Sequence, residues 1–141
     1  MQKVIGTVVL VIASFFSSHG QENTNFTITV NMTGMKSDKG DVYVALYNAK
    51  KDFLKTTFKT SIVKIVDQKA TAIFTGLEKG VYAISVFHDK NDNKKMDTNF
   101  LGIPKEPIGM SNDAKAFMGP PKFKDAKFMV AADVVLSIRI K

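Results

Sequence analysis

The sequence has no cysteine, and Arg139 is its only arginine. Without cysteine there are no disulfide bonds and no thiol chemistry, so burial, backbone pairing or a metal must hold the fold together. Proteins that read nucleic acids favour arginine for bidentate base contacts and carry recognisable motifs, and the chain has neither feature. We therefore expect no nucleic-acid partner.

Lysine supplies nearly all of the positive charge, and the formal net charge is +7. The lysines are scattered along the chain instead of forming one block. A surface of this kind keeps a protein soluble and attracts anionic polymers or lipid headgroups weakly.

Residues 1–20 have the order of a signal peptide: Lys3 is followed by an apolar stretch, residues 4–16, and then by small residues. This stretch is shorter than the roughly 20 apolar residues that span a bilayer, which disfavours a membrane anchor. Ser18 and Gly20 at the −3 and −1 positions predict cleavage before Gln21. We expect an exported protein, periplasmic or extracellular, that is not an integral membrane protein after processing.

Residues 21–141 are long enough for one domain with one core. Strand-like runs, with period-two alternation or β-branched and aromatic residues, occur at 26–32, 41–47, 61–66, 70–75, 81–87, 126–131 and 134–140. The first two runs are predicted to pair as a hairpin, and the third and fourth as a second hairpin. Tyr82 follows a glycine turn, as in a tyrosine corner, and is expected to return its hydroxyl group to nearby backbone.

This pattern predicts an all-β protein, a single immunoglobulin/transthyretin-like two-sheet sandwich of about seven strands. A flattened barrel is the alternative, and a monomer is expected. The segment 88–125 has scarcely any strand pattern but is rich in apolar residues, so it should pack down as a lid or as one wall of a binding surface.

The segment begins with oxygen-bearing side chains at relative positions 1, 3, 5 and 9, which are Asp89, Asn91, Asn93 and Asp97. This spacing allows a tight loop to wrap a hard cation such as calcium. Because calcium takes six to eight oxygens, Glu106 is the candidate for a further carboxylate ligand. The loop is not an EF-hand, since Lys94 and Phe100 stand where that motif has glycine and glutamate.

Two other interpretations of the segment remain open. The loop could be an Asx-rich turn that hydrogen-bonds to its own backbone. His88 could also act in a small-molecule hydrolase or other enzyme with Asp89, Asp97 or Glu106, and Ser111 could be a nucleophile. The hydrolase hypothesis is disfavoured because no nucleophile elbow surrounds Ser111 and a lone histidine has few partners.

Four motifs occur in order along the segment: His88-Asp89-x-Asn91-x-Asn93-x-x-x-Asp97, Gly102-Ile103-Pro104-x-Glu106, Gly109-x-Ser111-Asn112, and Gly119-Pro120-Pro121-x-Phe123-x-x-Ala126-x-Phe128. With these motifs the chain resembles the small exported bacterial proteins grouped as domain of unknown function 2141. The resemblance covers nearly all of residues 21–141. It implies an extracytoplasmic bacterial protein and no particular activity. Asp92 and Lys94 depart from the small residues that are usual in the family's loop.

These observations favour a non-enzymatic envelope module whose 88–125 face contacts a protein, glycan or lipid partner. The competing hypotheses are the enzyme that uses His88 and a calcium-stabilised structural protein without a specific ligand.

Overall fold

The computed structural model describes residues 25–141, so the predicted signal peptide and its cleavage point lie outside the described residues. The described part is all-β, with eight strands: β1 Phe26–Thr33, β2 Asp41–Tyr47, β3 Lys59–Lys64, β4 Ala70–Leu77, β5 Gly80–Asp89, β6 Ile108–Met110, β7 Phe128–Val130 and β8 Val134–Arg139. One helical turn, α1, spans Phe123–Ala126, and single 3₁₀ turns lie at Lys50–Asp52 and Ser111–Asp113.

The strands form two sheets. The smaller sheet has the order β4-β1-β8, in which β1 runs antiparallel to β4 and parallel to β8. The larger sheet has the order β3-β2-β5-β6 and is antiparallel throughout, and β7 pairs with the first residues of β5.

The core lies between the two sheets. In the strands of both sheets, apolar side chains that point inward alternate with side chains that point outward. From β1 the core receives Ile28, Val30 and Met32, as the alternation predicts. The larger sheet contributes inward side chains from its two central strands, which are Val42, Val44, Leu46, Ile84 and Val86. The two-sheet sandwich is thus confirmed, and its apolar core replaces the disulfides that the composition excludes.

The predicted hairpin pairing is wrong for both pairs of strands. β1 pairs with β4 and β8, whereas β2 pairs with β3 and β5, so the 34–40 linker crosses from one sheet to the other. The turn between β3 and β4 also joins the two sheets, through positive φ angles at Asp67 and Gln68. Alternation fixes which face of a strand is buried but not which strand lies beside it, so sequence adjacency was a poor guide to pairing.

The region after β5 contains more regular structure than the sequence indicates. β6 is an additional short strand inside the 88–125 segment, and the run predicted at 126–131 is a three-residue strand preceded by α1. The prediction for Tyr82 is confirmed, since its hydroxyl donates a hydrogen bond to the carbonyl oxygen of Glu78 at 2.8 Å. Within residues 25–141, helices long and apolar enough to cross a membrane do not occur.

Gly40 marks a close approach between the chain entering β2 and the end of β5. It has φ +74°, and a Cβ atom at this position would overlap the carbonyl oxygen of Asp89. Gly102 has a similar φ of +76° but open space around the equivalent position.

We expect Gly40→Ala to lower the free energy of unfolding by more than Gly102→Ala does. The Gly102 variant should lose about 1–2 kcal/mol from the left-handed backbone alone. The Gly40 variant must in addition displace the backbone of Asp89. Urea denaturation measures both variants, and equal losses would contradict the close packing at Gly40.

Candidate functional site

The outward face of the larger sheet is the surface on which the 88–125 segment lies. Tyr43 and Phe87 are cross-strand partners of β2 and β5, and their rings stack with centroids 4.8 Å apart and planes inclined by 16°. Ala45 and Ser85 form the next pair in the same register. These outward residues make the second face of the sheet largely apolar as well. In most antiparallel sheets only the face that packs on the core is apolar, and the other face is polar and solvated.

One end of this face is covered by a small second core. Phe53 makes edge contacts with Tyr47 and Phe123, at centroid distances of 5.2 Å and 5.6 Å. Ala83, Met110 and Ala126 are buried in the same cluster. The cluster therefore fixes the segment after β6 and helix α1 on the sheet.

Ser111 ties these elements together and is almost fully buried. Its hydroxyl oxygen accepts a hydrogen bond from the Ile84 amide at 2.9 Å, and the hydroxyl lies 2.6 Å from the Ala126 carbonyl oxygen, to which it donates. Because both partners are backbone groups, Ser111 has the environment of a structural residue and not of an exposed nucleophile.

A groove of about 850 Å³ runs along the middle of the face. Its floor is the Tyr43–Phe87 stack with Ala45 and Ser85, and its walls come from the 88–125 segment, including Leu101, Ile103 and Met118. The lining is predominantly apolar. The segment therefore packs down on the sheet, as its apolar residues predict, and covers this face incompletely.

The loop predicted to bind calcium lies at the other end of β5. Asp89 is fully buried, and its carboxylate accepts hydrogen bonds from the backbone amides of Asn93 at 3.3 Å and Lys94 at 2.8 Å. Gly40 allows the close approach that buries this residue. Asp89 is thus the residue around which the loop is wound.

Asp97 closes the loop from the opposite side. It accepts hydrogen bonds from the side-chain amide of Asn91 at 2.7 Å and from that of Asn93 at 2.8 Å and 2.9 Å. The Asn91 amide, followed by that of Asn93, lowers the pKa of Asp97 because these donors favour the charged carboxylate.

Glu106 reaches the loop from the chain just before β6 and is buried. Its Oε2 accepts a hydrogen bond from the Asp97 amide at 3.3 Å, whereas its Oε1 is buried without a partner among the described residues. Burial raises the pKa of Glu106, and the charges of Asp89 and Asp97 raise it further.

The structure therefore brings the five predicted ligands into one loop region. A pocket of about 390 Å³ opens there, and Asn91, Asp97 and Glu106 line it with Thr98, which also lines the groove, and with two lysines, Lys90 and Lys105. Among residues 25–141, acidic, histidine and cysteine side chains do not form a group of three or more spaced to hold a metal ion. A cation site in this loop would have to draw on amide and backbone oxygens as well.

His88 is fully buried on the inward face of β5. Its Nε2 lies 2.6 Å from the carbonyl oxygen of Lys39, to which it donates, and this contact anchors the 34–40 linker. The ring of His88 is therefore enclosed in the structure and not exposed to solvent.

Sequence reasoning missed the groove and its floor. Tyr43 and Phe87 were identified only as strand residues, and the signal that could have identified them is the apolar character of both faces of the 41–47 and 81–87 runs.

These features define the protein as an all-β sandwich in which the outer face of one sheet is incompletely covered. A family model described as an uncharacterised protein conserved in bacteria, DUF2141, matches residues 30–137, and the chain belongs to this family. No curated protein and no solved structure shows significant similarity to the chain.

We expect Ser111→Ala to lower the free energy of unfolding by about 1–3 kcal/mol, because the Ile84 amide and the Ala126 carbonyl lose their buried partner. Ser137→Ala, at an exposed position of β8, serves as the control and should change it by less than about 0.5 kcal/mol. Denaturant melts measure both. A Ser111 variant as stable as the control would contradict the structural role.

Proposed function

We propose that the protein is an exported, non-enzymatic binding module of the bacterial envelope, whose 89–97 loop binds calcium together with Glu106. The observation that carries the calcium assignment is the buried Oε1 of Glu106, which has no hydrogen-bond partner among the described residues. A buried carboxylate oxygen without a donor is costly unless a proton or a cation satisfies it.

The electrostatics around Glu106 favour a positive charge beside it, which a shared proton or a cation can supply. Its carboxyl group lies within hydrogen-bonding reach of the carboxyl group of Asp89, so two buried acids face each other. Asp41 is directly opposite Asp89 in the β2–β5 register, where like charges repel. Lys64 neutralises Asp41 at 2.7 Å. Within residues 25–141, Asp89 and Glu106 form no ion pair of their own, although Lys90 and Lys105 line the same pocket as Glu106.

The loop has enough oxygens for calcium, which takes six to eight. Asp89, Asp97 and Glu106 are not spaced to hold a metal ion together in the structure, so binding would have to draw their carboxylates closer. The amides of Asn91 and Asn93 can contribute oxygens by rotating their side-chain groups through half a turn. Such a rotation exchanges an NH₂ for an oxygen at nearly the same position. The donors that Asp97 loses would then be replaced by the cation.

The binding face is the groove and its wall from the 88–125 segment. Its volume of about 850 Å³ lies within the range of roughly 300–1,000 Å³ that is typical of ligand sites. A protein, glycan or lipid partner can contact this face, whose lining is predominantly apolar.

Export is supported by the order of basic, apolar and small residues in positions 1–20. We expect the protein recovered from the periplasm or culture medium of a bacterial host to begin within a few residues of Gln21. Intact-mass measurement gives the start directly. A protein that retains Lys3 and stays in the cytoplasm would contradict export.

We expect calcium to raise the melting temperature of the purified protein and chelator to lower it. At free calcium 100-fold above the dissociation constant, binding should add about 2.7 kcal/mol to the free energy of unfolding. Glu106→Gln and Asp97→Asn should each abolish the difference. Asp92→Asn, an exposed carboxylate of the same loop outside the proposed ligand set, is the matched control and should retain it.

Glu106→Gln provides a second measurement. In chelator at neutral pH this variant should melt above the wild-type protein, because it removes a buried charge that faces Asp89. Identical wild-type melting curves in chelator and in millimolar calcium would refute the metal assignment and leave the loop as a hydrogen-bonded Asx turn.

A further inference from the structure

A single hairpin, residues 97–106, connects the proposed calcium loop with the groove. Backbone hydrogen bonds hold its two arms together: the amide of Lys105 donates to the carbonyl oxygen of Asp97 at 2.8 Å, and the amide of Asn99 donates to that of Ile103 at 2.9 Å. The arms therefore form one unit that moves as a whole or opens by separating.

The base of this hairpin carries two of the proposed calcium ligands, one on each arm. Asp97 begins the first arm and Glu106 ends the second, and the amide of Asp97 donates a hydrogen bond to Oε2 of Glu106 at 3.3 Å. An ion that contacts both carboxylates would join the two arms at this point.

The tip of the same hairpin forms part of the wall of the groove. Leu101, Ile103 and Pro104 line the groove, and Thr98 lines both the groove and the pocket beside the loop. In so short a hairpin, a displacement of the base is expected to carry the tip with it. The state of the loop therefore bears on the shape of the groove.

Buried contacts contribute little to holding the hairpin on the protein. Residues 90–105, all of which the structure describes, include no buried residue. Phe100 and Ile103 are 95% and 55% exposed. A stretch with few buried apolar contacts opens locally at a low cost in free energy. Asp89 and Glu106 are the buried residues that flank it, so the position of the hairpin depends on the polar loop.

Calcium would act on this weakly held element. The carboxylates of Asp89, Asp97 and Glu106 are not spaced to hold a metal ion in the structure, so binding has to draw them together. The Oε1 of Glu106, which is buried without a partner among the described residues, is an acceptor available for the ion. The ion would then tie both arms of the hairpin to Asp89 at the end of β5.

We propose that calcium regulates the groove: the bound ion clamps the base of the 97–106 hairpin and holds this wall against the sheet, and without the ion the hairpin opens locally. The inference rests on the proposed calcium site and adds a consequence of that site for the binding face. The coupling does not depend on which partner the groove accepts.

Residue-resolved hydrogen exchange of the purified protein, in calcium and in chelator, tests the coupling. The amides of Lys105 and Asn99 exchange when the two arms separate, which also separates Asp97 from Glu106. At free calcium 100-fold above the dissociation constant, an ion that binds only the closed hairpin lowers the open population by about 100-fold. We expect exchange at both amides to slow by at least about tenfold.

The amide of Lys127 is the control. It donates to the carbonyl oxygen of Phe123 at 2.9 Å in the turn of α1, and it lies outside the groove and the pocket. Calcium should leave its exchange unchanged. Glu106→Gln should abolish the slowing at both hairpin amides, whereas Asp92→Asn should retain it.

A tryptophan reporter gives an independent measurement, because the sequence contains no tryptophan. Ile103→Trp places a single indole on the wall of the groove. Calcium should move its emission to shorter wavelength, since the wall is then held against the sheet. Val135→Trp, at a position of β8 that is 70% exposed on the smaller sheet, should show no such change.

These measurements separate the coupling from the calcium site itself. A calcium-dependent rise in melting temperature without slowing at the hairpin amides, or with equal slowing at Lys127, would overturn the coupling and leave the calcium site in place. An Ile103→Trp emission that ignores calcium in a protein whose melting temperature responds to it would do the same. Loss of both the melting shift and the exchange effect would remove the calcium site and the coupling together.

Discussion

The pairing of β5 with β2 is the interaction on which the rest of the structure depends. Seven consecutive residue pairs join these strands, from Asp41 opposite Asp89 to Tyr47 opposite Ala83. Their inward side chains supply six of the eighteen buried residues of the main core, and their outward side chains form the floor of the groove. Because both faces carry apolar residues, the chain needs a second cover for the outer face, and the 88–125 segment supplies part of it.

Alternation in the sequence was sufficient to predict the strands and the buried faces, but not their neighbours. Ile28, Val30 and Met32 are buried as their spacing predicts. The partners of β1 depend on how the 34–40 linker crosses between sheets, and that crossing is set by packing that no local pattern encodes. Gly40 fits against Asp89 in three dimensions, although nothing in the sequence near either residue indicates the contact.

The candidate site was predicted in part for the same reason. Spacing within one short loop is a local property, so the approach of Asn91 and Asn93 to Asp97 followed from their positions in the chain. The groove is a non-local property. Its floor comes from two strands and its wall from a segment that follows them, and only the tertiary arrangement brings Tyr43 and Ile103 to the same cavity.

The carboxyl groups of Asp97 and Glu106 differ in a way that neither composition nor spacing reveals. Asp97 faces side-chain amide donors, and its pKa is lowered. Glu106 is buried with one amide donor and faces Asp89, and its pKa is raised. Hydrogen bonds within the loop therefore satisfy its outer side, while on its inner side the Oε1 of Glu106 is buried without a partner among the described residues. In an ordinary Asx turn, backbone and side-chain donors satisfy every carboxylate oxygen, so this asymmetry is the feature on which the proposed cation site depends.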